Sequence, residues 1–397
     1  MKKMLNLFIV IVFIGVFSLA FTAEATAAEK VLKVGNLGPL TGPAASWGLA
    51  VQRGIDIAVE DLNRAGGIKV GNERYLIEIV HYDTKAAPTD GKSSAERLIF
   101  LDKVKFILGP IVSPVTLAVQ TITEPTKILI LHMSVSPDAT GPHKPYSFML
   151  MNTNKQRMAV LAKWLRDKYP DAKRYAIFNP DQEAGRSDTA DQKRFLDMYR
   201  FELVASEVYS PGTRDFYPIL TRILATKPEM ISLGVTSPGD QGLVLKQLGE
   251  LGFSGVKMIN TVPQPTLIYK SAGEASKGTI ILEEDYSSGG KFITPEKQRL
   301  YDVFVKKYGT ENWNPFARTA YSYVQALSKS IEGAGSLNVE DVIKYLSTHQ
   351  IPCIFGNLHF GPPGNRQGYV PIPIGRMEKD KLITVDIIPI PEPVPGM

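Results

Sequence analysis

Short apolar runs alternate with longer amphipathic stretches along the first half of the chain. The runs are rich in Ile, Leu and Val and end at polar or turn-forming residues, a pattern typical of buried β-strands. The stretches between them repeat their apolar residues at helical spacing, and Gly66 and Gly67 end the first of them. The predicted strands cover residues 31–37, 75–82, 104–108 and 128–131, and the predicted helices cover 47–65, 88–102 and 114–123.

The same alternation repeats in the second half. The predicted strands are 175–178, 203–208, 230–233 and 256–259, and the helices between them are about 185–201, 215–225 and 241–251. Helices at 295–308, 316–333 and 339–349, a strand at 382–388 and a Pro-rich extended tail complete the chain. This order predicts an α/β fold of two lobes, each with a mostly parallel sheet flanked by helices on both faces.

The first 28 residues have the three parts of a secretory signal. Lys2 and Lys3 precede an apolar run over residues 4–21, and the small residues Ala25 and Ala27 follow at the spacing of a cleavage site. A membrane anchor is the alternative, because the run is nearly long enough to span a bilayer. We expect cleavage near residue 28 and a mature protein in the periplasm.

Composition and charge narrow the possible function classes. The 397 residues exceed what one hydrophobic core usually organises, so two domains are expected. The 45 Lys and Arg stand against 40 Asp and Glu, a formal net charge of +5 without basic blocks, and we expect no nucleic-acid partner. The single Cys excludes an internal disulfide and a cysteine-based zinc site.

Motifs of the common catalytic classes are missing from the sequence. It has no GxxxxGK[ST] phosphate loop, no GxGxxG dinucleotide fingerprint and no GxSxG nucleophile turn. The five histidines form no metal-binding pair at helical spacing, so we expect neither a metal nor another cofactor. An exported α/β chain of this kind is expected to bind a ligand and not to be an enzyme.

Serine residues follow two successive predicted strands at the point where each ends. Ser113 is expected to cap the helix that follows the first of these strands, with Pro114 in the first helical position. Ser134 and Ser136 follow the next strand. The carboxyl ends of parallel strands share one edge of a sheet, and a helix start there attracts anions, so the serines predict a carboxylate site. Ordinary caps and turns are the alternative for each serine taken alone.

A series of short motifs runs in order over nearly the whole mature chain, from residue 32 to about residue 388. They are residues 34–42, Ser46-Trp47-Gly48, Gly54, residues 63–68, Tyr82-Asp83, Gly109-Pro110, Pro315-Phe316 and Tyr321. With these motifs in this order, the chain resembles the type I periplasmic substrate-binding proteins of ABC transporters, specifically the leucine/isoleucine/valine-binding group.

The resemblance implies two α/β lobes that are joined by three crossovers and close on a ligand between them. The first lobe would comprise residues 30–152 and 286–356, and the second would comprise residues 153–285 and 357–388. A signal peptide at residues 1–28 and a Pro-rich tail at residues 389–397 would flank them.

Matching the motifs residue by residue implies ligand contacts in the first lobe. Ser113 falls where the family's carboxylate-binding serine lies. Ser134 and Ser136 fall where the family binds the ammonium and the carboxylate of an amino acid. Trp47 matches the aromatic residue that flanks the ligand, and Phe316 matches a wall of its side-chain pocket.

The second lobe departs from the family's pattern. Ala184 and Thr236 stand where tyrosines are common. Val262 stands where the amino-acid binders place a glutamate that pairs with the ligand ammonium, and the surrounding residues 260–265 contain no acid. The carboxylate end of the site is therefore implied to be kept and the ammonium end to be lost.

These differences predict the class of ligand. A buried ammonium without a carboxylate partner is costly, so we expect an organic acid that lacks an α-ammonium group. Val112 and Met133, with Trp47 and Phe316, offer apolar surface suited to a flat ring, which favours aromatic carboxylates over aliphatic ones. A branched-chain or other amino acid is the alternative.

One acidic triplet, Glu283-Glu284-Asp285, leaves that alternative open. It is expected either to be a solvated strand end or to lie at the cleft edge, where it could reach a ligand ammonium. Arg318 could add a second anion contact, although a surface salt bridge is the favoured interpretation.

The resemblance implies a monomeric receptor that passes a small carboxylate to an inner-membrane ABC permease. A ligand-sensing regulatory domain of the same fold and an exported hydrolase are the alternatives. The hydrolase has the least support, because no nucleophile and base can be paired in the sequence.

Overall fold

The computed structural model describes residues 30–391, except for residues 43, 135, 211, 262, 264, 285–291 and 362–363. The predicted signal segment, Val262, Asp285 and the end of the Pro-rich tail therefore lie outside the described residues. Within the described residues, no helix combines the length and the apolar composition needed to cross a bilayer.

The first half of the chain forms a six-stranded sheet. Its strands are β1 (Lys30–Gly38), β2 (Ile68–Val70), β3 (Glu73–Asp83), β4 (Phe106–Leu108), β5 (Leu129–His132) and β6 (Ser147–Met149). They lie in the order β2-β3-β1-β4-β5-β6; β2 is antiparallel to β3, and the other neighbours are parallel. The four strands predicted in this half are confirmed, and their apolar residues, such as Val34, Phe106 and Leu129, are buried.

Three helices flank this sheet. They are α1 (Ala45–Arg64), α2 (Pro88–Glu96) and α3 (Ser113–Thr123). Helix α1 buries Val51, Ile55 and Ala58, which share one face at helical spacing. The helix predicted over residues 88–102 is confirmed in extent, but its end differs in type: α2 ends at Glu96 and a π-helical turn follows directly over Arg97–Leu101.

The second half forms a seven-stranded sheet in the order β16-β15-β11-β10-β9-β7-β8. Its strands are β7 (Arg174–Pro180), β8 (Glu202–Tyr209), β9 (Met230–Ser232), β10 (Val256–Ile259), β11 (Ile280–Ile281), β15 (Ile372–Glu378) and β16 (Lys381–Ile388). The helices with it are α4 (Asn154–Lys168), α5 (Glu183–Met198), α6 (Tyr217–Ala225), α7 (Pro238–Glu250) and α8 (Pro265–Ala272). The sheet is parallel except at β15, which pairs antiparallel with both β11 and β16.

The chain returns to the first sheet after β11. Helices α9 (Pro295–Tyr308), α10 (Phe316–Ala334) and α11 (Val339–Thr348) precede a small antiparallel sheet of β12 (Ile351–Cys353), β13 (Gly356–Phe360) and β14 (Gly368–Tyr369). Leu358, Phe360 and Val370 pack into the same core as the first sheet. The two α/β lobes expected from the resemblance are confirmed as architecture, while the lobe boundaries stay a prediction.

Several elements were not predicted from the sequence. Helix α4 begins with a capping box, in which Thr153 and Gln156 bond each other's backbone amides, and the Thr-x-x-Gln spacing could have revealed it. Helix α8 and strands β2, β6 and β11–β15 were also missed. Most of these strands have two to five residues, too few for a clear period-two pattern.

Helices α1 and α10 approach closely at Gly54. A Cβ atom there would lie 2.1 Å from the carbonyl oxygen of Ala317. We expect Gly54→Ala to lower the free energy of unfolding by about 1–3 kcal/mol, because the two helices must move apart. Gly239→Ala in α7 is the matched control, since nothing lies within 4 Å of a Cβ atom there. If thermal denaturation shows that Gly54→Ala and Gly239→Ala are both as stable as the wild type, the close approach of the two helices at Gly54 is contradicted.

Candidate functional site

The serines that follow β4 and β5 lie together at the carboxyl edge of the first sheet. The hydroxyl of Ser134 donates to Oγ of Ser113 at 3.0 Å. The backbone N–H of Ser136 donates to Oγ of Ser134 at 3.2 Å. Ser134 is fully buried, whereas Ser113 and Ser136 are half-buried. The structure thus joins the three serines in one hydrogen-bonded chain, the serine cradle.

The start of helix α3 differs by one residue from the prediction. Ser113 is the first helical residue, so Val112 occupies the cap position, and Pro114 stands second. No side chain caps this helix, and the Ser113 hydroxyl bonds Ser134 instead. The prediction that Ser113 is the cap is therefore wrong, although the positive end of the helix dipole still points at the serine cradle.

The loop after β5 is anchored beneath the cradle. Met133 is buried, and its N–H donates to the carbonyl of Pro110 at 3.0 Å. Gln120 donates from Nε2 to the carbonyl of Ala139 at 2.7 Å, and Nε2 of His132 lies 3.1 Å from the same oxygen. Burial lowers the pKa of His132 to about 3, so its ring is neutral. These hydrogen bonds attach the loop to the end of β4 and to α3. His132 is buried away from solvent.

Trp47 and Phe316 form an aromatic pair. Their ring centroids are 6.0 Å apart and the planes make an angle of 78°, an edge-to-face contact. Trp47 lies in the first turn of α1 and is 45% exposed, and Phe316 begins α10 and is half-buried. The structure therefore brings together the two aromatic residues that the resemblance assigned to the ligand.

In the second lobe, the candidate ligand-binding residues Ala184 and Thr236 are less well placed than the serines to contact a ligand. Ala184 is exposed in the first turn of α5. Thr236 is buried; its hydroxyl donates to the carbonyl of Leu233, and its own carbonyl accepts from Gln241 at 2.7 Å. Among the described residues, neither forms a hydrogen bond with the serine cradle. Val262 lies outside the described residues.

Glu283 and Glu284 lie in a buried ion cluster. Arg318 donates to Oε1 of Glu283 at 3.1 Å and also bonds Oε1 of Glu284. Nζ of Lys297 lies 2.9 Å from Oε2 of Glu284. All four side chains are buried, so both the solvated strand end expected for the two acids and the surface salt bridge expected for Arg318 are wrong. Asp285 lies outside the described residues.

A further buried carboxylate was not predicted from the sequence. Asp188 of α5 is 1% exposed and accepts hydrogen bonds from Asn154 at 3.0 Å, Asn179 at 3.0 Å and Asn260 at 2.7 Å. Gln192 also donates to it. Asn179 lies near the end of β7 and Asn260 directly follows β10, so amides at strand ends were the available signal.

A cavity of about 80 Å³ lies where the chain crosses between the two sheets. We call it the crossover cavity; its walls include Leu150, Arg157, Glu283, Phe316 and Arg318. Phe316 thus belongs both to this cavity and to the aromatic pair. Leu150 directly follows β6, the neighbour of β5, so the cavity adjoins the edge that carries the serine cradle.

Comparisons with known proteins agree with this architecture. The Leu/Ile/Val-binding protein BraC3 of Rhizobium johnstonii is 27% identical over 353 residues, which cover 88% of this chain and 92% of the relative. The solved structure of the transporter substrate-binding protein LivJ from Streptococcus pneumoniae, in complex with isoleucine, has a TM-score of 0.74 at 19% identity. It matches 91% of this chain and 100% of that chain. A solute-binding protein of an ABC transporter from R. palustris, in complex with 4-hydroxybenzoate, has a TM-score of 0.72 at 23% identity, matching 91% of this chain and 98% of that chain.

The family model described as "Periplasmic binding protein" matches residues 31–381. This match covers nearly all of the described residues, including the serine cradle and both sheets apart from the edge strand β16. The chain therefore belongs to the periplasmic binding protein family, whose members are solute-binding proteins and not enzymes.

Proposed function

We propose that the protein is the extracytoplasmic receptor of an ABC importer and binds a small aromatic carboxylate between two lobes that close over it. In this proposal a signal peptide is cleaved near residue 28, and the monomeric periplasmic receptor delivers the ligand to an inner-membrane permease. The observation that carries the ligand class is the serine cradle and the aromatic pair at one edge of the first sheet, while Glu283, Glu284 and Asp188 are already bonded within the protein.

The bonding of the serine hydroxyls supports a carboxylate. Ser113 and Ser134 share one hydrogen bond, so one of their two hydroxyl protons remains for another acceptor, and Ser113 is the more exposed of the two. The start of α3 adds positive dipole density at the same place. A carboxylate accepts charge-assisted hydrogen bonds from such donors, which are stronger than bonds between neutral groups.

The arrangement of the acids argues against a ligand ammonium. Glu283 and Glu284 are bonded by Arg318 and Lys297, and Asp188 accepts hydrogen bonds from four side-chain amides. Drawing any of these carboxylates to a ligand would break buried bonds. Because a buried charge without a partner is costly, a ligand without an ammonium group fits this site better.

An amino-acid ligand is the second candidate. The relative from Rhizobium johnstonii, 27% identical over 88% of this chain, is named a Leu/Ile/Val-binding protein. The fold itself does not favour either class, because solved proteins of this fold hold isoleucine in one case and 4-hydroxybenzoate in another. The preference for an aromatic carboxylate over an amino acid therefore rests on the residues of this chain.

A thermal-shift panel of benzoate-type acids, keto acids and branched-chain amino acids tests the proposal. At one hundred times its dissociation constant, a bound ligand adds about 2.7 kcal/mol of stability, so a benzoate-type acid should raise Tm by several degrees. Benzamide is the matched control, since it keeps the ring but lacks the carboxylate, and it should leave Tm unchanged. Stabilisation by leucine or valine, without a response to any aromatic acid, would overturn the proposed ligand class.

A further inference from the structure

We propose that the ligand carries a second oxygen group on the side of its ring opposite the carboxylate, and that the guanidinium of Arg157 binds this group in the crossover cavity. This inference rests on the proposed function and specifies its substrate class. Three features support it: the position of the cavity, the sparse bonding of Arg157 and the size of the space.

The cavity borders the same sheet edge as the serine cradle. The serine cradle follows β4 and β5, and the cavity wall begins with Leu150, directly after the neighbouring strand β6. Phe316 lines the cavity and contacts Trp47. A ring whose carboxylate lies in the cradle and whose face or edge meets Phe316 would therefore direct its far end into the cavity.

Arg157 lies in the first turns of α4 and lines this cavity. Within the described part of the chain it makes one hydrogen bond, from Nη2 to the carbonyl of Leu282 at 3.5 Å, the long limit for such a bond. A guanidinium has five N–H donors, so most of the donors of Arg157 remain for another acceptor. Arg157 is half-buried; desolvation lowers the pKa of its guanidinium, while the nearby carboxylates of Glu283 and Asp188 oppose the shift.

The other charged and amide side chains of the cavity wall are already engaged, and the remaining polar group, the Thr319 hydroxyl, is a neutral donor and weaker than a guanidinium. Arg318 bonds Glu283 and Glu284, and its guanidinium lies 4.5 Å from the ring centroid of Phe355. Asn152 donates to the carbonyl of Val370 at 2.8 Å and accepts from its N–H at 3.2 Å. Arg157 is thus the side chain best placed to recognise an incoming oxygen.

The volume sets the size of the group. The cavity volume is about 80 Å³, several times the roughly 10–15 Å³ that one water needs on the same measure. A hydroxyl or a carboxylate fits such a space. The shared chemistry is an oxygen acceptor, and the experiment separates the two forms.

Titration calorimetry with benzoate, 4-hydroxybenzoate and terephthalate tests the inference. In the wild type we expect the Kd of benzoate to exceed that of the better para-substituted acid by about tenfold or more, because a bond to a charged donor is gained. Which of the two para-substituted acids binds more tightly identifies the group as a hydroxyl or a second carboxylate.

Arg157→Gln should reduce this Kd ratio to about twofold or less, because the charged donor is lost. Lys155→Gln is the matched control, because it removes the same charge from an exposed position of the same helix and should keep the wild-type ratio. Arg157→Lys should give an intermediate ratio, since the charge remains without the planar fork of donors.

The possible outcomes separate this inference from the proposed function. If wild-type protein binds all three acids equally, or if Arg157→Gln keeps the wild-type ratio, the role of Arg157 is refuted while the aromatic carboxylate ligand stands. If no aromatic acid binds, the proposed function itself fails and this inference fails with it. Should Arg157→Gln not fold, the wild-type ligand series still decides whether a second oxygen is preferred.

Discussion

Replacing Glu284 by alanine is expected to lower the free energy of unfolding by about 3–5 kcal/mol. The side chain is buried and bonds both Arg318 and Lys297, which are buried as well. Its removal leaves two cations in a region of low dielectric without their shared carboxylate, and desolvation then opposes folding. Urea denaturation followed by circular dichroism measures the loss.

Glu78→Ala is the control for this experiment. Glu78 pairs with Lys33 at 3.8 Å, and both side chains are about half exposed. Such a surface pair contributes about 0–1 kcal/mol, so this variant should unfold close to the wild type. Glu284→Gln keeps the shape of the side chain, so its loss of unfolding free energy should lie between those of Glu284→Ala and Glu78→Ala. A loss at Glu284→Ala no larger than that at Glu78→Ala would show that the buried cluster contributes little to stability.

Replacing Ser113 by alanine is expected to weaken benzoate binding by roughly ten- to hundredfold, or about 1–3 kcal/mol. The substitution removes the donor left for a ligand carboxylate and deprives Ser134 of its acceptor. Ser136→Ala should act in the same direction, since the Ser136 hydroxyl accepts from the N–H of Asp138 at 3.4 Å and keeps its own proton for a ligand carboxylate. Titration calorimetry gives the change in Kd.

The control removes a hydroxyl elsewhere. Ser93 is exposed on α2, and Ser93→Ala should bind benzoate with the wild-type Kd. Equal Tm values without ligand would show that the serine variants remain folded. Wild-type affinity in both Ser113→Ala and Ser136→Ala would remove these residues from the binding site.

The longer central strands of both sheets could be predicted because they are runs of apolar residues, whereas β2, β6, β11 and β15 of the same sheets were missed. Residues 31–37 and 175–178 are examples, and both form central parts of parallel sheets. Of the strands described after residue 350, β16 was predicted at residues 382–388, whereas β12–β15 were not. Strand β15 pairs antiparallel with β16, which follows it closely in the chain. It contains Pro373 and Gly375, and both residue types weaken the sequence signal of a strand.

The serine positions of the site followed from sequence order, since the ends of neighbouring parallel strands must meet at one edge. The bonding within the cradle did not. Ser113 has the sequence context of a cap, but Ser134 competes for its hydroxyl across the loop, and only the folded chain brings the two oxygens to 3.0 Å.

The amino-acid sequence by itself determined the α/β class, the order of strands and helices, and the edge of the sheet where serines gather, because these depend on local periodicity and chain direction. Only the tertiary structure decided the partners of the charged residues. The sequence around Glu283 and Glu284 is typical of a solvated strand end. Both side chains are nevertheless buried against Arg318, which lies more than 30 residues away in the chain. Arg157 and Phe316 lie far apart in sequence but line one cavity. Such contacts depend on which surfaces are desolvated together, and no local pattern of residues encodes that.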